Sequence, residues 1–245
     1  MSRQELCFGK KQETKSKNRR STRSLKMKKH EHIVKSLMPG GIGEELGIEP
    51  GDKLLAINGN EIQDVFDYYY YEESEQLLLL IEKPDGEEWE LEIEKDEDES
   101  LGIEFDQSLM DEYRSCRNKC MFCFIDQMPK GMRETLYFKD DDSRLSFLQG
   151  NYITLTNMSD HDVERIVKYR LEPINISFQT TNPELRCKML HNRFAGEALK
   201  KVDILYRGQI EMNGQIVLCK GVNDGEELER TIRDLTGYLP YLKSV

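Results

Sequence analysis

Apolar and polar positions change period part-way along the chain. From His32 an apolar strand, "HIVKSLM", runs into a "PGG" turn and a short helical "IGEELG". Pro50-Gly51-Asp52 signals a turn, "KLLAI" a buried strand and Asn58-Gly59 a tight turn, because Asn and Gly tolerate the positive φ that a two-residue hairpin turn needs. "DVFDYYYYEESE" follows with helical spacing and with Asp64 placed as its N-cap. Its run Tyr68 to Tyr71 divides between a core side and an amphipathic surface. "QLLLLIEK", "PDG" and "EEWELEIEK" make a hairpin whose last strand alternates Trp89, Leu91 and Ile93 with glutamates. That period of two marks one buried and one wet face.

Beyond Cys123 strands and helices alternate. "NYITLT" reads as a strand, "SDHDVERIVKYRL" as a helix capped by Ser159 or Asp160, and "INISFQT" as a second strand. "AGEALKKVDILYRG" is a helix ended by Gly208, "IEMNGQIVLC" a strand and "DGEELERTIRDLTGYL" a helix capped by Asp224. Such alternation builds a parallel sheet with crossover helices, and four strand-helix units are expected to form a partial barrel. In barrels ligands gather at the C-terminal strand ends. This selects Thr154, Thr156 and Asn157 after one strand, Gln179, Thr180 and Thr181 after the next, and Asn223 with Asp224 after the last. Each has a plainer reading, since threonines suit strands and Asn-Asp-Gly is an ordinary helix start.

Composition adds boundaries. The chain has 245 residues and a formal net charge of −11. Its longest apolar run, "LLLLI" at Leu77 to Ile81, is far short of the roughly 20 residues that span a bilayer, so neither a membrane nor, for so acidic a chain, a nucleic acid is expected as a partner. Residues 1–29 hold eleven Lys and Arg against two Glu. They read as a disordered leader, with a nucleic-acid or membrane-surface arm as the sharper alternative and Met27 as an alternative start. The acidic "EKDEDES" at Glu94 to Ser100 reads as a solvated linker. The expected divisions are therefore 1–29, 30–98 and 99–245.

Three of the six cysteines, Cys116, Cys120 and Cys123, crowd into "CRNKCMFC". The rest are scattered, which argues against a secreted disulfide scaffold and for a reducing, cytoplasmic compartment. The C-x3-C-x2-C spacing wraps three thiolates around one centre. Structural zinc takes four ligands, and no fourth histidine or cysteine lies nearby. An electron-transfer iron–sulfur cluster also uses four cysteines. A 4Fe-4S cluster held at three irons leaves the last free to bind a substrate or cofactor, so the spacing favours this group over a structural metal or free thiols. "KDDD" at Lys139 to Asp142 suggests magnesium at first sight, but a solvated turn with Arg144 paired to one aspartate is expected. His191 is expected at a surface or helix end, without a role.

The segment "GIEPGDKLLAINGNEI" resembles a PDZ domain in the circularly arranged bacterial form. That likeness implies a groove where a peptide C-terminus adds as a strand beside free backbone N–H groups, with "MPGGIG" at Met38 to Gly43 as the loop. Alternatively the fold is a docking platform whose groove the same chain fills. The cysteine spacing, with Phe122 just before Cys123, resembles the radical SAM enzymes. "CRNKCMFCFIDQMPKGMRETLYFKDDDSRLSFLQGNYITLTN", "INISFQTTNPELR" and "GQIVLCKGVNDGEELERTI" resemble, more closely, a family of PDZ-like radical SAM iron–sulfur proteins with a C-terminal domain of unknown function, number 512.

The resemblance implies an N-terminal PDZ-like β-rich domain followed by a radical SAM (β/α) partial barrel. It implies a cluster on Cys116, Cys120 and Cys123 whose open iron binds S-adenosylmethionine, and a reductant such as flavodoxin or ferredoxin. It also implies cofactor contacts at Phe122, Thr154, Thr156, Asn157, Gln179, Thr180, Asn223 and Asp224, and an unknown substrate. Gln179 stands where the family has histidine and Lys220 where it has proline; Gln cannot titrate, so a proton-transfer step at that position would be lost. The chain stops at Val245, soon after the fourth unit, whereas the resemblance implies six units and a further domain. Each Å² of apolar surface left wet forfeits roughly 25 cal/mol, so an incomplete barrel, marginal unless a partner completes it, is expected. Three functions are therefore in play: a radical SAM enzyme, a PDZ-type interaction protein with a structural metal loop, and an inactive remnant.

Overall fold

The computed structural model describes residues 31–245. The basic leader and the alternative start at Met27 lie outside the described residues. The chain divides into two compact units between Glu112 and Tyr113.

In the first unit β1 (His32–Leu37) leads to the short helix α1 (Ile42–Glu45), then β2 (Lys53–Ile57) and β3 (Asn60–Glu61). Asn58 and Gly59 join the last two with φ of 51° and 73°, the left-handed pair that the hairpin turn requires. Helix α2 (Val65–Glu72) starts where Asp64 accepts a hydrogen bond from the Phe66 N–H. Strands β4 (Gln76–Glu82) and β5 (Glu88–Glu94) form the long hairpin, with Leu79 opposite Leu91 and Ile81 opposite Trp89. Strand β6 (Ile103–Phe105) closes the sheet, whose order is β5-β4-β2-β1-β6. Val34, Leu54, Ile57, Leu79, Ile81 and Leu101 are buried beneath it.

Tyr68 is buried while Tyr69 and Tyr70 face solvent, the division expected of that helix. The PGD turn is anchored by charge: buried Asp52 meets Lys83 Nζ at 2.7 Å, and that ammonium lies 4.3 Å above the Trp89 ring.

Two expectations are corrected here. "EKDEDES" is solvated as expected, every residue but Lys95 being exposed, but it joins β5 to β6 within one sheet and so does not separate two units. The first unit therefore runs past 98 to Glu112. Since β6 is a sheet edge, the loop leading into that edge is Ser100 to Gly102 and not Met38 to Gly43.

The second unit begins with the cysteine loop, followed by α3 (Ser143–Gln149), α4 (Asp160–Tyr169), β7 (Ile174–Ser177), α5 (Pro183–Leu190), α6 (Lys200–Arg207), β8 (Met212–Gln215), α7 (Glu226–Thr236) and β9 (Leu242–Ser244). β7, β8 and β9 are parallel and adjacent in that order, and Ile153 adds a single parallel bridge to Ile176. Ile153, Leu155, Val163, Ile166, Ile176, Phe178, Val202, Leu205 and Met212 make one buried core between sheet and helices.

Ser159 caps α4 in a reciprocal capping box with Asp162. Asp224 does not cap α7: its Oδ1 accepts from the Gly221 N–H, and Gly225 precedes the helix without a side-chain cap. "NYITLT" gives one bridge and no regular strand, because Leu155 turns to φ 63°. That left-handed turn costs an L-residue roughly 1–2 kcal/mol. It is held by surrounding bonds: Asp141 takes the Thr154 N–H, Arg186 donates to Thr154 O and Lys201 to Leu155 O.

Candidate functional site

The cysteine loop is pinned along its length by backbone bonds. The Cys116 N–H donates to Lys139 O at 2.7 Å, Lys119 N–H to Leu190 O at 3.0 Å, Met121 N–H to Met189 O at 2.9 Å and Cys123 N–H to Cys120 O at 3.1 Å. The loop is thus laid against the C-terminal end of α5. Cys120 and Phe122 pack there on buried Met189, Leu190 and Ala195, as do Cys187 and Cys219 from other segments.

Beneath the loop lies a polar network. Asn118, between the first two cysteines, is buried. Its Nδ2 donates to the hydroxyls of Thr154 (3.0 Å) and Thr156 (2.9 Å), and its Oδ1 accepts from Asn192 Nδ2 at 2.7 Å. Asp141 completes the network, Oδ1 accepting from the Thr154 N–H and Oδ2 from its hydroxyl, both at 2.7 Å. Burial pushes the Asp141 carboxyl up to about 6, against the lowering effect of the Thr154 bonds.

The expected solvated turn at 139–142 is therefore half right. Arg144 does grip Asp142, at 2.9 and 2.7 Å, but Asp141 and Asp142 are buried.

Arg186 is fully buried and points its guanidinium at the carbonyls of Phe178, Ala195, Thr154 and Ser177. It thereby gathers the end of β7, the Thr154 segment and the loop after α5 around one cation. Burial lowers its pKa to about 10, while the charges of Asp141, Cys120 and Cys187 act the other way.

The three thiols are free and half-buried. Burial raises Cys116, and the charge of Asp141 adds to it. Burial pushes Cys120 up to about 12, with Cys116 and Cys123 adding their repulsion. Cys120 thus lies within electrostatic reach of the other two, and burial works against its thiolate, whereas at Cys116 the Asn118 bonds and the Lys139 ammonium favour ionisation against burial. As the side chains stand, no group of three or more His, Cys, Asp or Glu is gathered into a metal clasp among the described residues. The donor set still suits a cationic cluster: three thiols outside any disulfide, each swung by one torsion, on a backbone held by four bonds.

The other candidates sit around the same end of the sheet, and most are spent within the protein. Thr154 and Thr156 belong to the Asn118 network. Thr180 accepts from the Asn182 N–H and the Thr231 hydroxyl. Asn223 donates to the carbonyls of Gln179 and Val217 and accepts from the Cys219 N–H. Gln179, at φ 65°, accepts from the Val217 N–H at 2.6 Å, and Asn157 Nδ2 reaches the Ser115 and Asp141 carbonyls. Among described residues, Asn157 Oδ1, Gln179 Nε2 and Asp224 Oδ2 carry no bond. Thr181 bonds Asp234 instead. His191 is the exposed left-handed cap of α5, the helix end foreseen for it.

Asn118, Asp141, Arg186 and Asn192 are the residues that sequence reading passed over as site builders. Asn118, Asp141 and Arg186 lie inside the quoted "CRNKCMFC", "KDDD" and "NPELR", but nothing in those stretches marked them as partners of one another.

Comparison with known families decides the larger question, for residues 95–245 match the Radical SAM-like domain. The chain belongs to that family. Residues 33–83 of this radical SAM-like protein match the PDZ domain, so the two-part architecture expected from the sequence is present. No curated protein matches the chain. Among described residues no helix is long and apolar enough to cross a membrane.

Proposed function

We propose that the chain is a radical SAM enzyme that holds a 4Fe-4S cluster on Cys116, Cys120 and Cys123 and binds S-adenosylmethionine at the open iron. Three free thiols on one pinned loop carry this reading, in a chain whose family uses that group. When bound, cluster and cofactor supply reductive cleavage of the sulfonium to methionine and a 5'-deoxyadenosyl radical that abstracts hydrogen from a substrate. The electron comes from a protein reductant of the flavodoxin or ferredoxin kind.

The chain's own contribution is placement. Asn118, Thr154, Thr156 and Asp141 set the height of the loop, and Arg186 fixes the strand ends around it. Asn157, Gln179 and Asp224 have polar atoms to spare for the cofactor's amino, carboxylate and ribose groups, whereas Thr180 and Asn223 hold the loops that present them. Phe122, on the Met189 and Leu190 side chains, supplies an apolar wall beside the third cysteine.

Anaerobic reconstitution tests this. About four irons and four sulfides per chain are expected, lost in Cys116→Ala, Cys120→Ala or Cys123→Ala. Dithionite with S-adenosylmethionine should then release 5'-deoxyadenosine. Stoichiometric zinc without labile sulfide in protein from oxygen-free cells would overturn the reading, and a full cluster that releases no 5'-deoxyadenosine would deny the enzymatic half of it.

A further inference from the structure

Among the described residues the sheet of the first unit has two edges, β5 and β6, and the second of them borders a groove. β6 ends the sheet and pairs with β1 alone. Gly102 O accepts from the Met38 N–H and the Asp106 N–H donates to Ile33 O, both toward β1. Backbone groups alternate sides along an antiparallel strand, so those of Ile103 and Phe105 turn to the free edge. Between that edge and α2 lies a groove of about 660 Å³ whose walls include Ile103, Phe105, Val65, Tyr68 and Met110. An unpaired edge beside an apolar trough accepts an extended segment as an added strand.

The loop that leads into β6 is already engaged. The Leu101 N–H donates to Glu72 Oε1 at 2.7 Å, the Ser100 hydroxyl reaches the same oxygen at 3.0 Å and the Tyr68 hydroxyl at 3.1 Å. The Gly102 N–H is bonded to Ser100 Oγ at 3.1 Å. Amides at this place would otherwise clasp a terminal carboxylate; here they face an internal one. Glu72 is 8% exposed. Its Oε1 takes all three bonds, and no described residue reaches Oε2. A buried carboxylate with one oxygen open repels a second carboxylate and attracts a cationic donor. The charged residues on the groove walls are Glu72, Glu104 and Lys35, so the net sign there is negative.

We propose that the groove between β6 and α2 takes an internal, lysine- or arginine-bearing extended segment of a partner protein, its cation meeting Glu72, and refuses a peptide that ends there in a carboxylate. Backbone pairing to Ile103 and Phe105 supplies the affinity, and Glu72 supplies the selection. The proposal does not depend on the cluster, since every group it uses lies before Glu112.

Fluorescence anisotropy on the full chain tests it with three probes. The first is Thr-Val-Thr-Val-Lys-Val, fluorescein-capped and C-amidated. The second carries norleucine for lysine, and the third ends in the free acid directly after lysine. The lysine amide should bind about tenfold tighter than either of the others, and Glu72→Gln should shrink that advantage to about threefold or less. The acid-ended probe binding best, lysine and norleucine binding alike, or no probe binding at all would each overturn the proposal. So would a lysine advantage that survives Glu72→Gln undiminished. The norleucine comparison is read on the unaltered protein, so it decides the matter even if the variant does not fold.

Discussion

Asp141 is a buried acid under the cysteine loop whose two oxygens face the amide and hydroxyl of Thr154. The hydroxyl can donate to a carboxylate or accept from a carboxylic acid, so both protonation states are satisfied and burial decides between them. With a folded pKa raised to about 6 above an unfolded value of about 3.9, the fold binds its proton more tightly than the unfolded chain does. This contribution is fully present below about pH 4 and is lost as pH rises through 6. Asp141→Asn mimics the neutral form, donating to the Thr154 hydroxyl. Its stability relative to the parent should therefore improve between pH 5 and pH 8, by about 1–3 kcal/mol, as read from urea midpoints at the two values. A pH-independent difference would contradict the assignment. That Asp141 and Asn118 matter was not visible in the sequence. A buried polar side chain is defined by partners 13 and 38 residues away, and "KDDD" read alone is an ordinary wet turn. The cysteines were legible because their spacing is local and their chemistry is carried by the residue type itself.

At the scale of elements, local signals served well where partners are close in sequence and failed where tertiary bonds intervene. The Asn58-Gly59 turn, the Asp64 and Ser159 caps and the β4–β5 hairpin all follow from chemistry within a few residues. The strand expected at Asn151 to Thr156 breaks at Leu155, under bonds from Asp141, Arg186 and Lys201. Helix α5 escaped notice because its sequence lacks a clean apolar face, although Asn182 and Pro183 open it as cap and first residue. Its placement depends on Gly196, where a Cβ would stand 2.6 Å from Pro183 O and 2.8 Å from Pro183 Cβ. Backbone at that distance cannot step aside as a side chain can. Gly196→Ala should therefore cost about 1–3 kcal/mol and push the start of α5 outward. Because the cysteine loop hangs on Met189 and Leu190 at the other end of that helix, the thiols should also react faster with a disulfide reagent such as DTNB. Unchanged stability and unchanged thiol kinetics would show that the contact relaxes freely.

The whole molecule joins a sheet-rich unit to a helix-rich one, and their electrostatics differ enough to separate them in acid. In the second unit burial works against ionised Asp142, but bonds from Arg144 and the Arg114 N–H outweigh it and hold the carboxyl below the usual range. Asp162 behaves likewise: burial opposes its charge, and Ser159 and Arg114 prevail. Depressed folded values carry the opposite sign from Asp141. Their stabilisation is present above the unfolded pKa of about 3.9 and is lost as pH falls through the folded values. Arg114 joins both aspartates, through its backbone to Asp142 and its side chain to Asp162 at 2.9 Å, so protonation loosens the ends of α3 and α4 together. Two probes keep the units apart. The single Trp, Trp89, lies on β5 of the first unit, whereas α3 to α7 of the second carry most of the helical signal. On titration from pH 5 to pH 2, ellipticity at about 222 nm should fall at a higher pH than the Trp89 emission shifts, because Asp142 and Asp162, whose carboxyls the fold holds below the usual range, lie with the helices. Arg114→Ala should move only the first of these transitions, toward neutral pH. Coincident transitions in the parent chain would mean that the units unfold as one body and that the Asp142 and Asp162 bonds do not set the acid limit of the second.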